Sequence, residues 1–250
     1  MNLDFDEHAS DGAYEQTNPN LTLDGKMVFQ GRLSDSPFVE SIWYTQSERA
    51  GNFTSVAATH WEMVITRMMG RTTMTVRGPE TVATPAPIPP DAEFLGITFK
   101  LGTFMPIFPA SGLVDAPINL PGANSRAFWL NGSAWEFPTF ENADTFVARL
   151  TRAGLLAREP LVDAALRGQI KVKELSLRTV QRRFAQATGL SHSTVVQIER
   201  ALRASGLLAR GVPILDTVEQ AGYADQPHLT RALRRYVGQT PGQILNIRIS

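Results

Sequence analysis

Two different hydrophobic periods divide this chain into two regions. Between residues 31 and 138, short segments alternate apolar and polar residues, as strands with one buried face do. In HWEMVITRMM, the side chains of Trp61, Met63 and Ile65 fall on one face, and FLGITFKLG alternates in the same way. Turn signals such as Gly70-Arg71 separate these segments. The pattern predicts a β-rich domain, either a barrel or a sandwich.

Beyond residue 138 the apolar residues recur with a helical period. Residues 142–154 carry an apolar stripe that predicts a linker helix, with Asn142 at its start and Gly154 at its end. Such a stripe can dock two domains or join a dimer. Five further helical segments follow Pro160, each closed or followed by glycine, and one of them ends at Gly206. They predict a compact all-α module of about 90 residues.

These patterns together predict an α+β two-domain protein. The expected order is an acidic disordered tail at 1–24, a β-rich sensor or oligomerisation domain at 25–140 and a linker helix at 141–159. An all-α domain occupies residues 160–250. No window is apolar enough to span a membrane and the start is not a secretory signal, so we expect a cytoplasmic protein.

The net charge of zero hides a strong asymmetry between the two regions. Residues 1–150 contain 9 Lys and Arg against 17 Asp and Glu, whereas residues 151–250 contain 15 against 7. A basic half is typical of a nucleic-acid binder, because phosphate contacts supply most of the non-specific affinity. A bipolar protein that pairs with itself is the alternative that charge alone leaves open.

Composition also excludes several kinds of chemistry. The chain has no cysteine, so disulfides, thiolate metal sites and a cysteine nucleophile are impossible. Its histidines, His8, His60, His192 and His228, show no metal-binding spacing. We therefore expect no metal, no cofactor and no enzymatic activity, since no nucleophile–base pair or phosphate loop is recognisable either.

The helical half contains an internal repeat. SLRTVQRRFAQATGLS, from Ser176, aligns with DQPHLTRALRRYVGQT, from Asp225, at a constant offset of 49 residues. The alignment matches cap with cap, apolar with apolar residues and Gly189 with Gly238. Each copy predicts an amphipathic helix with one packing face and one face of long hydrogen-bond donors.

The donor faces carry the candidate DNA-binding residues. In the first copy they are Arg178, Thr179, Gln181 and Arg182, and in the second they are Gln226, His228, Thr230, Arg231 and Arg234. Arg pairs with guanine O6 and N7, Gln pairs with adenine N6 and N7, and the major groove admits one helix. A merely solvated charged face is the alternative for each helix alone, but two copies in register on the basic half favour double-stranded DNA as the partner.

At these residues the chain resembles the AraC/XylS-type bacterial transcription regulators. Residues 160–247 carry the likeness, and AGYADQPHLTRALRRYVGQTPG, residues 221–242, is similar to the family's AGYxDQxHxxRxFRRxxGxTPxxxR pattern. The resemblance implies a seven-helix domain with two helix-turn-helix motifs joined by a long helix, and RNA polymerase as a partner. The segment QIKVKEL before Ser176 departs from the family, because it lacks the usual first scaffold helix.

Family members commonly carry an N-terminal cupin-like β-barrel, which implies that residues 31–138 sense a small-molecule effector or mediate a homodimer. The aromatic residues of this region could line such a pocket, although aromatic side chains are more often ordinary core. The sequence thus predicts a sequence-specific transcription regulator. The rival hypothesis is a small-molecule-binding protein or enzyme whose helical part is only an interaction module.

Overall fold

A computed structural model describes residues 27–169 and 176–247 of this chain. The predicted tail at 1–24 lies outside these residues. Thirteen strands are described between residues 27 and 158. They are β1 Met27–Leu33, β2 Val39–Ser47, β3 Gly51–Ser55, β4 Glu62–Met68, β5 Arg71–Arg77, β6 Thr84–Ile88, β7 Ala92–Phe99, β8 Thr103–Phe104, β9 Ile118–Asn119, β10 Gly122–Asn124, β11 Ala127–Leu130, β12 Ser133–Glu136 and β13 Ala157–Arg158.

The main sheet of this β region has six antiparallel strands in the order β1-β2-β7-β4-β5-β9. Within the described ranges, β1 and β9 are its two edges and do not pair with each other. The sheet is therefore open, and the predicted cupin-like closed barrel is not confirmed, whereas a β-rich N-terminal region is. A second antiparallel pair, β3 with β6, lies apart from the main sheet and is called the β3–β6 ribbon below.

One face of the main sheet carries the core of the β region. Trp61, Met63 and Ile65 are all at most 2% exposed, as their period-two spacing predicts. Helix α1, Ala143–Arg152, packs onto this core through its apolar stripe, in which Phe146 lies edge-on to Trp135 at 6.1 Å between ring centroids. The stripe is thus buried within its own chain. Asn142 precedes α1, but its side chain accepts a hydrogen bond from the Thr139 N–H instead of capping the helix.

The helical region follows α1 and contains six described helices. They are α2 Pro160–Leu166, α3 Leu177–Thr188, α4 His192–Ala209, α5 Ile214–Gln220, α6 Gln226–Tyr236 and α7 Pro241–Ile247. Helix α4 continues three residues beyond Gly206, where the sequence predicts its end. The buried side chain of Leu208 holds this last turn in the core, so packing overrides the weak helix propensity of glycine.

Helix α4 is the central helix of the helical region. Its buried residues contribute to two hydrophobic clusters, one shared with α3 and the other with α5, α6 and α7. The buried residues of each cluster also include one residue of the β region, Val56 in one case and Ala57 in the other. The two regions are therefore packed directly against each other. Within the described ranges, no helix is both long and apolar enough to cross a bilayer.

Candidate nucleic-acid interface

Helix α3 presents the first predicted donor face to solvent. The Ser176 hydroxyl accepts a hydrogen bond from the Thr179 N–H at 3.2 Å, which caps the helix, and Gly189 ends it in the left-handed conformation with a φ of 76°. Val180, Phe184 and Ala187 are buried on the inner face. The outer face carries the exposed side chains of Arg178, Gln181 and Arg182 and the half-buried side chain of Thr179.

Helix α6 repeats this construction. The Asp225 carboxylate accepts a hydrogen bond from the His228 N–H at 2.6 Å, and Pro227 lies in the first turn, where its missing N–H costs nothing. Leu229, Leu233 and Tyr236 form the buried face. Opposite them, Gln226, Arg231 and Arg234 are exposed, while His228 and Thr230 are half-buried.

The arginines of the helical region fall into two groups. Arg183, Arg200 and Arg203 hydrogen-bond within the protein, to Glu159, to the Gly222 carbonyl and to the Ala221 carbonyl respectively. The long side chains on the outer faces of α3 and α6 make no such contact within the described part of the chain. They are Arg178, Gln181, Arg182, Gln226, Arg231 and Arg234. Most arginines of the described helical region that lack an intramolecular hydrogen bond thus lie on these two helices, and the exposed Arg167 after α2 is an exception.

The three remaining candidate DNA-binding residues, Thr179, Thr230 and His228, make contacts within the protein. The Thr179 hydroxyl lies 2.9 Å from the Ser176 hydroxyl, and the Thr230 hydroxyl donates to the Gln226 carbonyl at 2.9 Å. The His228 ring stands edge-on to Tyr223, with 5.0 Å between ring centroids. These side chains define the shape of the faces, whereas the arginines and glutamines supply their free donors.

Two arginines that the sequence analysis missed hold the turn before α6. The Arg200 guanidinium lies over the Tyr223 ring at 4.8 Å and donates to the Gly222 carbonyl at 3.3 Å. Arg203 donates to the Ala221 carbonyl at 3.5 Å. Both are cations at the C-terminal end of α5, where the helix dipole favours positive charge. In the sequence only their spacing on α4 marks these two arginines, and a solvent-exposed helix face has the same spacing.

The β region caps the C-terminal end of α6. The Ala57 N–H donates to the Tyr236 carbonyl, and the Ala83 N–H donates to the Arg235 carbonyl, both at 2.8 Å. The last carbonyls of a helix have no partner inside it, so these bonds complete the end of α6. Gly238 lies two residues after Tyr236, and a Cβ there would lie 2.8 Å from the Thr54 methyl group.

Helix α3 also meets the β region at its C-terminal end. A Cβ added at Gly189 would lie 2.7 Å from the Ala110 carbonyl oxygen, so only glycine allows this approach. Arg183 of α3 forms two hydrogen bonds with Glu159, at 2.8 and 2.9 Å. Both outer-face helices are therefore anchored to the N-terminal half of the chain at the ends away from their caps.

Several charged side chains lie where the β region meets α4. The Thr59 hydroxyl donates to the Glu199 carboxylate of α4 at 2.5 Å, and His60 lies beside Glu62 with 3.5 Å between Nε2 and Oε1. Burial disfavours the charged imidazole, but the carboxylate of Glu62, aided by Glu40 and Glu199, outweighs it and raises the pKa of His60. Burial likewise disfavours the ionised Glu62, but its hydrogen bond with His60 prevails and lowers its pKa.

A cavity of about 340 Å³ lies on the second face of the main sheet, beneath the β3–β6 ribbon. Its walls are mostly apolar and include Trp43, Val64 and Phe94 of the sheet and Phe53 and Ile88 of the ribbon. The described residues include no group of three or more His, Asp or Glu side chains placed to bind a metal ion.

Comparison with known proteins supports the assignment of the helical region. Residues 171–247 match the family described as "Helix-turn-helix domain". An 89-residue stretch is 35% identical to the HTH-type transcriptional regulator RipA of Corynebacterium glutamicum and covers 36% of this chain and 27% of that protein. The chain thus matches about a quarter of the length of this curated relative. No solved structure matches the chain.

The match falls on the same residues as the family pattern, and it contains both outer-face helices, α3 and α6. The C-terminal part of this chain, residues 171–247, is therefore a helix-turn-helix domain of the AraC/XylS-type transcription regulators, as the resemblance at residues 221–242 indicates.

Proposed function

We propose that this protein is a sequence-specific transcription regulator that reads double-stranded DNA with α3 and α6. The observation that carries the proposal is the concentration of arginines without an intramolecular hydrogen bond on the outer faces of α3 and α6. Those on the outer faces of α3 and α6 make no intramolecular hydrogen bond in the described ranges, while Arg183, Arg200 and Arg203 are all engaged. Free forked donors on the exposed face of a capped helix are what major-groove readout requires.

Each residue then has a specific role. Arg178, Arg182 and Arg231 donate pairs of hydrogen bonds to guanines, and Gln181 and Gln226 pair with adenines. The remaining candidates are Thr179, His228, Thr230 and Arg234. They contact the sugar–phosphate backbone or base edges and fix the register of each helix on the duplex.

The DNA-binding domain spans residues 160–250 and uses two helix-turn-helix units in this proposal. In the second unit, α5 is the scaffold helix, residues 221–225 form the turn and α6 is the recognition helix. In the first unit, α3 is the recognition helix, and the segment before it lies partly outside the described residues. The two recognition helices enter successive major grooves, about 34 Å apart, from one protomer.

The N-terminal half, residues 25–140, serves in this proposal as the sensor of a small-molecule effector, and the cavity beneath the β3–β6 ribbon supports that role. The linker within 141–159 docks the helical region through Glu159, which bonds with Arg183 of α3, while its helix α1 packs on the β region. Its apolar stripe is buried against the β region, which leaves α1 no second apolar face for a dimer partner. RNA polymerase is the proposed protein partner, and any homodimer would use another surface.

A selection of sheared genomic DNA on the purified protein tests this function. The wild type should recover a few sites with two half-elements about one helical turn apart. An Arg182→Ala, Arg231→Ala variant should lose them, whereas an Arg71→Ala, Arg126→Ala variant, with the same charge change on exposed residues of the β region, should keep them. Diffuse recovery by all three proteins, equally sensitive to salt, would overturn the proposal, because it would show phosphate binding alone.

A further inference from the structure

The cavity beneath the β3–β6 ribbon has the size and lining of a site for a small organic molecule. Its volume of about 340 Å³ lies within the range of known ligand pockets. Three aromatic rings face it, from Trp43 and Phe94 on the sheet and Phe53 on the ribbon. Flat apolar molecules fill such a space best, because aromatic pairs stack with an offset or meet edge to face.

One residue of the cavity wall carries a polar atom without a partner. The Thr45 hydroxyl is buried, and it makes no hydrogen bond within the described part of the chain. A buried hydroxyl without a partner loses the hydrogen bond that it makes with water in the unfolded chain. A ligand with one hydroxyl, or a similar group, could satisfy it.

The charge of Arg77 at the cavity wall is already neutralised. Its guanidinium donates to the Glu80 carboxylate and approaches the Ser55 hydroxyl at 3.5 Å. Burial disfavours the charged guanidinium, but the carboxylates of Glu62 and Glu80 outweigh it and raise the pKa of Arg77. An anionic ligand would compete with these carboxylates, so the cavity favours a neutral molecule.

The ribbon that covers the cavity also holds the end of α6. Phe53, Pro87 and Ile88 line the cavity from the ribbon. At the other end of the ribbon, Ala57 lies two residues after β3 and Ala83 lies directly before β6, and these residues supply the two N–H groups that cap α6. The β3–β6 ribbon, with five residues per strand, thus lines the cavity at one end and contacts the recognition helix α6 at the other.

We propose that the cavity binds a neutral, largely aromatic molecule carrying one hydrogen-bonding group, and that its occupancy shifts the β3–β6 ribbon and with it the C-terminal end of α6. The ligand thereby changes the affinity for DNA. This regulation rests on the DNA-binding function proposed above. Coupling of this kind is reciprocal, so bound DNA changes the affinity for the ligand by the same factor.

Binding of 1-naphthol by the full chain tests the ligand class. Naphthalene and 1-naphthoate serve as matched probes that lack the hydroxyl or carry a negative charge. We expect 1-naphthol to quench part of the tryptophan fluorescence, a change that Trp43→Phe should remove, and to bind at least tenfold more tightly than 1-naphthoate. Thr45→Val should weaken 1-naphthol about tenfold and leave naphthalene unchanged. The absence of binding by both neutral probes, or tighter binding of 1-naphthoate, would overturn this assignment.

Two readouts test the coupling. Saturating 1-naphthol should change the dissociation constant for a DNA site from the genomic selection at least fivefold. It should also change the hydrogen-exchange rates of the Ala57 and Ala83 amides. Bound 1-naphthol that leaves both quantities unchanged would overturn the coupling.

A pair of glycine variants shows whether the ribbon carries the coupling. Gly238→Ala places a methyl group against Thr54 of the ribbon and against Ala83 beside it, whereas Gly154→Ala meets nothing within 4 Å and has a similar positive φ. We expect Gly238→Ala alone to lose the effect of 1-naphthol on DNA affinity, and equal coupling in both variants would contradict the ribbon's role. If the wild type binds no specific DNA, the proposed function fails, but probe binding and amide exchange still test the ligand and the ribbon.

Discussion

Replacing Arg231 with alanine removes a guanidinium group without an intramolecular hydrogen bond from the middle of the outer face of α6. The side chain is exposed and makes no hydrogen bond within the described ranges, and alanine is the best helix former. The free energy of unfolding should therefore change by less than about 0.5 kcal/mol. A bidentate contact with guanine contributes about 1 to 3 kcal/mol of discrimination, so the dissociation constant for a specific site should rise about 5- to 160-fold.

The assay is a fluorescence-anisotropy titration of labelled DNA at an ionic strength of about 0.15 M, together with thermal unfolding of each protein. Arg235→Ala is the matched control, because it removes the same charge from the same helix, where the guanidinium lies over the Tyr236 ring at 5.1 Å. We expect any loss in this control to be equal for specific and scrambled DNA. An Arg231→Ala protein with unchanged affinity and unchanged base preference would refute the role given to α6.

Three further predictions concern the packing and charge of the junction. Phe146→Glu places a charge in the core of the β region, where the ring is 4% exposed, and should lower the free energy of unfolding by at least about 4 kcal/mol in urea denaturation, without changing the mass in sedimentation. Arg183→Ala removes both hydrogen bonds to Glu159, a half-exposed pair, and should cost about 1 kcal/mol in the same assay. Glu62 raises the pKa of His60 above 6.5. The stabilisation that protonated His60 provides is therefore complete below about pH 6.5 and is lost as the pH rises through the raised pKa. His60→Gln should flatten this decline of the free energy of unfolding.

Exposed neighbours provide the controls for these variants. Thr145→Ala lies on the outer side of α1 and should leave stability unchanged, and Arg182→Ala lies beside Arg183 without an intramolecular partner. A Phe146→Glu protein of wild-type stability but lower mass would show that α1 joins a dimer. Equal stability of the Arg183 and Arg182 variants, or an unchanged pH slope in His60→Gln, would contradict the other two expectations.

Local sequence signals predicted the elements that carry the proposed site. The caps at Ser176 and Asp225 are side-chain hydrogen bonds within three residues, and Gly189 allows the positive φ that ends α3. The pattern alone therefore locates the ends of α3 and the start of α6. The period of two likewise identified Trp61, Met63 and Ile65 as one buried face. In both cases the structure depends on residues that are close in sequence, so a local pattern predicts it.

Contacts between distant segments could not be read in this way. The bonds from Ala57 and Ala83 to the end of α6 use backbone groups, which every residue has, so no side-chain pattern marks them. The open edges of the main sheet and the cavity beneath the ribbon depend on tertiary packing for the same reason. Helix α4 continues past the predicted end at Gly206, because burial of Leu208 outweighs the weak helix propensity of glycine.

Methylation-interference footprinting on a selected DNA site tests the central claim most directly. The account predicts two clusters of major-groove guanines about one helical turn, or about 34 Å, apart on one face of the duplex. Arg182→Ala should abolish interference in one cluster only, and Arg231→Ala in the other only. A single cluster, or two clusters that both variants weaken equally, would contradict the claim that α3 and α6 read separate major grooves.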